Sequence, residues 1–150
     1  MQSRDDGGTG LSRDDLGFLL AKATQRWNEL LAESFTAAGF REVRPSYGSV
    51  LLPLYEEDGL RMGELARRAR LSKQTMTTMI RRAERDGLIE RRADPSDARA
   101  SLVFLTPRSR KFEPVAAATL HELDRTVRDR LGVQGLASIK DALRELSSLE

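Results

Sequence analysis

The sequence predicts a mostly α-helical fold with a small β-hairpin (α+β), in a single domain over residues 1–150. Three observations lead there. Apolar residues recur at steps of three and four over most of the chain. That period yields once to an extended pattern, between Leu88 and Leu105, with a proline turn at its centre. A length of 150 residues at 39% hydrophobic content suits one core.

Residues 1–12 are polar and glycine-rich and read as a flexible arm. From Asp14, the positions Leu16, Leu19, Leu20, Ala23, Trp27, Leu30, Leu31 and Phe35 predict a long amphipathic helix ending near Gly39. Arg44-Pro45-Ser46 is a helix start, because a first-turn proline lacks only an N–H that would be unpaired anyway. Tyr47, Val50, Leu51 and Leu54 share one face of that helix, and Pro53 is expected to bend or end it. Asp58-Gly59 is a turn. A short helix follows, with Met62, Leu65, Ala66 and Ala69 inward and Arg67, Arg68 and Arg70 outward. Leu71-Ser72 breaks it, and Ser72 caps the next helix, whose stripe is Met76, Met79, Ile80 and Ala83. Gly87 supplies the left-handed residue that closes that helix.

Leu88–Arg92 and Ala100–Leu105 then read as strands joined through Asp94-Pro95-Ser96-Asp97, with proline at the second turn position. Thr106-Pro107 caps and starts another long helix carrying Phe112, Ala116, Leu120, Leu123, Val127 and Leu131. After Gly132 a last helix presents Leu136, Ile139, Leu143 and Leu146. Residues 13–39 and 106–150 therefore carry more apolar stripe than the small centre at 45–105 can cover. A two-fold dimer interface built from them is expected, against the competing reading that both stripes close onto one monomer.

Composition excludes several functions. No apolar run is long enough to cross a membrane, and the opening residues lack the apolar stretch of a signal peptide. The absence of cysteine removes disulfides, thiolate metal sites and thiol redox sensing, and it fits a reducing cytoplasm. With His121 as the one histidine, neither a metal nor a cofactor is expected. Ser46-Tyr47-Gly48-Ser49 lacks the setting of a nucleophile elbow, and no phosphate-binding or dinucleotide loop is present, so an enzyme is not expected.

Charge is unevenly placed. Residues 1–60 hold 6 basic and 10 acidic side chains, residues 61–92 hold 10 and 4, and residues 93–150 hold 9 of each. The positive excess thus sits in one block of 32 residues, the footprint of a polyanion-binding element, unless it is merely a solvated helical face. The block contains two short helices with a tight break between them, followed by the hairpin. In a helix-turn-helix the second helix enters the major groove of DNA by its first turns. Here those turns offer Ser72, Lys73, Gln74 and Thr75, then Thr77, Thr78, Arg81 and Arg82, with no acid before Glu84. Gln pairs with adenine, Thr meets bases or a thymine methyl, and Lys and Arg take guanine or phosphate.

Residues 59–106 resemble the MarR family of winged-helix regulators. The likeness is carried by Leu60-Arg61-Met62-Gly63-Glu64-Leu65-Ala66, Leu71-Ser72-Lys73-Gln74, Asp86-Gly87-Leu88-Ile89-Glu90-Arg91, Asp94-Pro95-Ser96-Asp97-Ala98-Arg99-Ala100 and Leu105-Thr106. The resemblance implies a winged helix-turn-helix, a homodimer made by the terminal helices, and a ligand-responsive repressor that binds a pseudo-palindromic double-stranded DNA operator. It also implies a wing arginine in the minor groove, Arg99, oriented by Asp97. A small-molecule effector between the dimer helices and the DNA-binding part is further implied, with Trp27, Phe35, Tyr47 and Tyr55 as candidate lining, against the competing and favoured reading that each is plain core. The sequence departs from the family at Arg61, where a capping threonine is usual, at Ala98, where a second arginine is frequent, and at Ser109, where glycine is usual. The alternative function is a winged-helix protein-interaction module that never touches DNA.

Overall fold

Residues 10–150 are described by the computed structural model, and they form five helices and a three-stranded sheet. The expected arm at residues 1–12 lies mostly outside the described residues. Helix α1 (Leu16–Ala37) and helix α5 (Pro107–Ser147) flank a central head. The head comprises a 3-10 turn (Pro45–Tyr47), α2 (Gly48–Glu56), β1 (Leu60–Arg61), α3 (Met62–Ala69), α4 (Lys73–Arg85), β2 (Ile89–Asp94) and β3 (Asp97–Leu105).

Two expectations need correction. Helix α2 does not end at Pro53; it runs to Glu56, and the carbonyl of Pro53 accepts the Glu57 N–H at 2.9 Å. Proline costs the helix one internal hydrogen bond, but Val50, Leu51, Pro53 and Leu54 are all buried, and that packing outweighs the lost bond. The second correction is that the hairpin is not alone. Strand β1 pairs antiparallel with β3 through Leu60↔Val103 and Arg61↔Leu102, giving the order β1-β3-β2. Two residues are too few to show alternation. Gly59, at φ 72°, turns the chain into β1, and a Cβ there would meet the Phe104 ring at 2.8 Å.

The hairpin strands extend further toward the tip than the sequence suggests, closing at Asp94↔Asp97 after a register shift between Ala93 and Asp94. Ser72 caps α4 by accepting the Thr75 N–H, as expected. Arg70 occupies the left-handed region between α3 and α4, at φ 53° and ψ 41°. The Ser109 departure is accommodated: Thr106 and Ser109 form a reciprocal capping box at the start of α5, and Ser109 is buried.

Helix α5 is two helical pieces. Gly132, at φ 77° and ψ 167°, breaks it, so a separate last helix follows as the sequence predicts. Lys140 pairs with Asp124 across the break at 3.0 Å, and the Ser147 carbonyl accepts from Arg70 at 2.9 Å. The last piece therefore doubles back toward the head.

Phe112 binds the terminal helices to the head. Its ring meets Phe35 of α1 edge-on at 4.7 Å between centroids and Phe40 at 5.3 Å. Arg108, one turn earlier, lies 3.9 Å over the Phe40 ring and donates to Glu42 at 2.6 Å. Of the stripe predicted for α1, only Leu31 and Phe35 are buried. Leu16, Leu19, Leu131, Ile139 and Leu143 stay exposed, so the stripes close onto the monomer around Leu31, Phe35 and Phe112 but not along their outer parts. Phe112→Ala should lower the unfolding free energy by about 3–5 kcal/mol, measured by denaturant titration, since it empties the joint between α1, α5 and the head.

Candidate nucleic-acid interface

Burial fixes which face of α4 looks outward. Met76, Ile80 and Ala83 are fully buried, and 3.6 residues per turn then put Gln74, Thr78, Arg81 and Arg82 in solvent, while Lys73 is exposed as the first residue of the helix. Gln74 offers its whole amide, since its side chain bonds to none of the described residues. The hydroxyls are partly engaged. Ser72 donates to Thr75 Oγ1 at 2.9 Å, and Thr78 donates to the Gln74 carbonyl at 3.2 Å, which leaves oxygen lone pairs free to accept. Thr77 differs from the expectation of an outward residue. It is half-buried, donates to the Lys73 carbonyl at 2.7 Å, and sits 3.2 Å from the Met62 sulfur.

The basic block is largely neutralised within the molecule. Arg67 and Arg68 share Glu64, whose carboxyl they hold down at about 2, and Arg68 also reaches Glu57. Arg61 pairs with Asp94, Arg85 with Asp86, Arg91 with Glu84 and Arg92 with Glu90. Arg70 is held by the Ser147 carbonyl. Among the described residues, the block's cations without a carboxylate partner are Arg70 at the turn before α4, Lys73 at the first turn of α4, and Arg81 and Arg82 on its outward face. The net positive field is therefore narrower than the block, and it is centred on this helix.

Two aspartates build the wing turn. Asp94 accepts from the Ser96 N–H at 2.9 Å, and Asp97 accepts from the Arg99 N–H at 3.0 Å, each bonding its own backbone two residues on. The Asp97 carboxylate thus orders the Arg99 backbone, not its guanidinium as expected. The short reach from Asp97 to that amide decides the matter. The Arg99 guanidinium is exposed and meets no carboxylate among the described residues.

Periodicity gave no signal for a second contributor. A polar groove of about 360 Å³ runs beside α4, lined by Ser46, Tyr47, Gln74, Thr75, Thr78, Met79 and Arg82. The Tyr47 phenol anchors its floor by donating a hydrogen bond to Asp86, with Arg44 close enough for its charge to act on both groups. Only the polar Arg44-Pro45-Ser46 helix start hints at this in the sequence.

An apolar cavity of about 370 Å³ opens between α1, α2 and α5, lined by Phe35, Leu51, Tyr55, Phe112, Ala116 and Leu120 among others, with Arg44 and Glu113 at its wall. Of the four candidate lining residues, Phe35 and Tyr55 stand there; Tyr47 lines the α4 groove instead, and Trp27 lines neither. The Tyr55 hydroxyl donates to the Ser109 carbonyl at 2.6 Å, and burial pushes its ionisation up to about 12. Among the described residues, no cluster of three or more His, Asp or Glu side chains is placed to hold a metal, and no helix is long and apolar enough to cross a membrane.

Two short helices meeting at Arg70, an outward cationic face on the second, and a three-stranded wing define a winged helix-turn-helix protein. The chain belongs to the MarR family, whose sequence pattern matches residues 45–101, and so to the regulators of transcription rather than the enzymes. It is 34% identical over 95 residues to the HTH-type transcriptional repressor Rv2887 of Mycobacterium tuberculosis, covering 63% of this chain and 68% of that protein. It is 39% identical over 61 residues to the HTH-type transcriptional regulator TtmR of Methylorubrum extorquens, a match spanning 41% of this chain and 31% of that one. A probable transcriptional regulator from Pseudomonas aeruginosa superposes with a TM-score of 0.76 at 29% identity, over 89% of this chain and 97% of that one. MepR of S. aureus, solved as a DNA complex, has the same fold with a TM-score of 0.75 at 22% identity, over 91% and 98% of the two chains.

The acid limb of stability tests the groove floor. The Tyr47 hydrogen bond, helped by Arg85 and Arg44, holds the Asp86 carboxyl below its ordinary 3.8. A lowered carboxyl contributes stability above the ordinary value and loses it as pH falls through the lowered one. Tyr47→Phe should therefore flatten the loss of stability below pH 3.8, followed by denaturant unfolding as a function of pH.

Proposed function

We propose that this chain is a sequence-specific repressor that binds a pseudo-palindromic double-stranded DNA operator as a homodimer, under the control of a small molecule. The observation that carries the reading is the convergence of Arg81 and Arg82, which have no carboxylate partner among the described residues, with the unengaged Gln74 amide on one face of α4, with Lys73 exposed at its first turn. In this reading Gln74 and Thr78 read base edges, while Lys73, Arg81 and Arg82 meet phosphate or guanine. Ser72 and Thr75 bond backbone at the helix start, and Arg99 enters the flanking minor groove, where narrow A·T tracts concentrate negative potential. Asp97 keeps the Arg99 backbone in place. Thr77 acts indirectly, by seating α4 against Met62. Ser46, across the groove from Gln74, adds a phosphate contact from outside the basic block.

The domain is read as a winged helix-turn-helix at 45–105 with dimerisation helices at 13–39 and 106–150. The exposed Leu16, Leu19, Ile139 and Leu143 support that division. The apolar cavity faces both parts, with Phe35 and Leu120 from the dimerisation helices and Leu51 and Tyr55 from the head. A mainly apolar effector with one polar group directed to Arg44 fits those walls. A cytoplasmic location accords with the absence of cysteine. Nothing on the outward face of α4 favours the protein-interaction alternative, since that face has no apolar anchor.

Selection of bound fragments from random DNA, followed by titration at several salt concentrations, tests the reading. Specific binding that weakens steeply with salt is expected, and its absence at low salt defeats the proposal. Gln74→Ala should lose about 1–3 kcal/mol of discrimination at one base position per half-site while non-specific affinity holds. Uniform weakening across sequences would make Gln74 a positioning residue. Paired substitutions Leu19→Glu and Leu143→Glu should convert dimer to folded monomer in light scattering, because both residues are exposed in the single chain.

A further inference from the structure

Arg61 stands where the basic block suggests one more phosphate contact. Its geometry points elsewhere. The residue lies in β1, paired with Leu102, and it immediately precedes α3, where its side chain makes no cap. The guanidinium instead reaches across the sheet to the base of the wing turn, with Nε 2.7 Å and a terminal nitrogen 2.6 Å from Asp94 Oδ2. A third contact, at 3.3 Å, goes to Ser96 Oγ. The other Asp94 oxygen accepts from the Ser96 N–H at 2.9 Å and from Ser96 Oγ at 2.8 Å. The Asp94 side chain is 6% exposed while that of Arg61 is 50% exposed. A carboxylate so enclosed needs every one of these donors, whereas an ordinary surface pair contributes little. The register shift between Ala93 and Asp94 falls at this point, so the clamp sits where the ladder itself is irregular and controls the direction of the tip least.

We propose that Arg61 is a positioning residue that ties the wing to the first helix of the helix-turn-helix and so sets where Arg99 is delivered. It touches no DNA and acts through Asp94. The role rests on the DNA-binding reading above, but its first consequence is visible without DNA. With Arg61 removed, Asp94 and Ser96 lose their link to β1, while α4 and its buried stripe are untouched.

The test has one arm without DNA and one with it. Amide hydrogen exchange of the free protein should quicken at Ser96 and Arg99 in Arg61→Ala by about tenfold, roughly the weight of one hydrogen bond, with α4 unchanged. Unchanged exchange at the tip overturns the proposal whether or not the protein binds DNA. In operator titrations, Arg61→Ala and Asp94→Asn should weaken binding by similar factors, and neither should weaken it further in an Arg99→Ala background. A phosphate contact makes the opposite predictions. Asp94→Asn would then free a cation and tighten binding, Arg61→Lys would restore wild-type affinity, and the Arg61 and Arg99 losses would add. Any of those three results overturns the proposal. A wild type that binds no DNA, with a loosened tip in Arg61→Ala, removes the DNA-binding reading and leaves the clamp.

Discussion

The rotation of α4 about its own axis is the constraint on which the rest depends. Met76, Ile80 and Ala83 have no exposed surface, and Leu65 of α3 is equally enclosed. One residue's turn is about 100°, so any slip would take at least one of these side chains out of the core. Burying a large apolar side chain is worth about 1.5–3 kcal/mol, so several such losses would exceed what a small domain can bear. The outward display of Gln74, Arg81 and Arg82 and the groove beside Ser46 all follow from that locked rotation. Local chemistry supports it only at the ends, where Ser72 caps the first turn and Gly87 leaves the last.

Charge in this molecule is shaped more by pairing than by number. Glu64, Glu84, Glu90, Asp86 and Asp94 each take an arginine of the basic block. Most of these pairs are exposed, and exposed pairs add little stability. Their effect is on the field: a paired guanidinium attracts a distant polyanion weakly, and an unpaired one strongly. The acids around α4 thus narrow a broad basic stretch to α4 and the turn that precedes it.

Much of this was legible in the sequence, and the rest was hidden for physical reasons. Helical period announced α1, α4 and α5, proline and glycine announced the turns, and a change of period announced the hairpin. Strand β1 was hidden because two residues carry no period, and its partner lies 43 residues on in the register Leu60↔Val103. The continuation of α2 past Pro53 was hidden because burial overrode a local penalty. Side-chain choices were the least legible. Thr77 turned inward to Met62, Asp97 chose a backbone amide over a guanidinium, and Arg61 found Asp94 on another strand. None of these choices is fixed by spacing along the chain, since each depends on what the fold brings near. The exposure of Gln74, Thr78, Arg81 and Arg82 follows from the burial of Met76, Ile80 and Ala83, which the helical period made legible.

The break at Gly132 has a practical corollary for anyone handling the protein. Because the last helical piece returns toward the head, with the Ser147 carbonyl bonded to Arg70 between α3 and α4, a tag or reporter inserted just beyond Ser147 would emerge beside the helix-turn-helix. A bulky fusion there would press on the turn between α3 and α4 without altering any residue of either helix. Such a fusion would report on its own linker as much as on the protein.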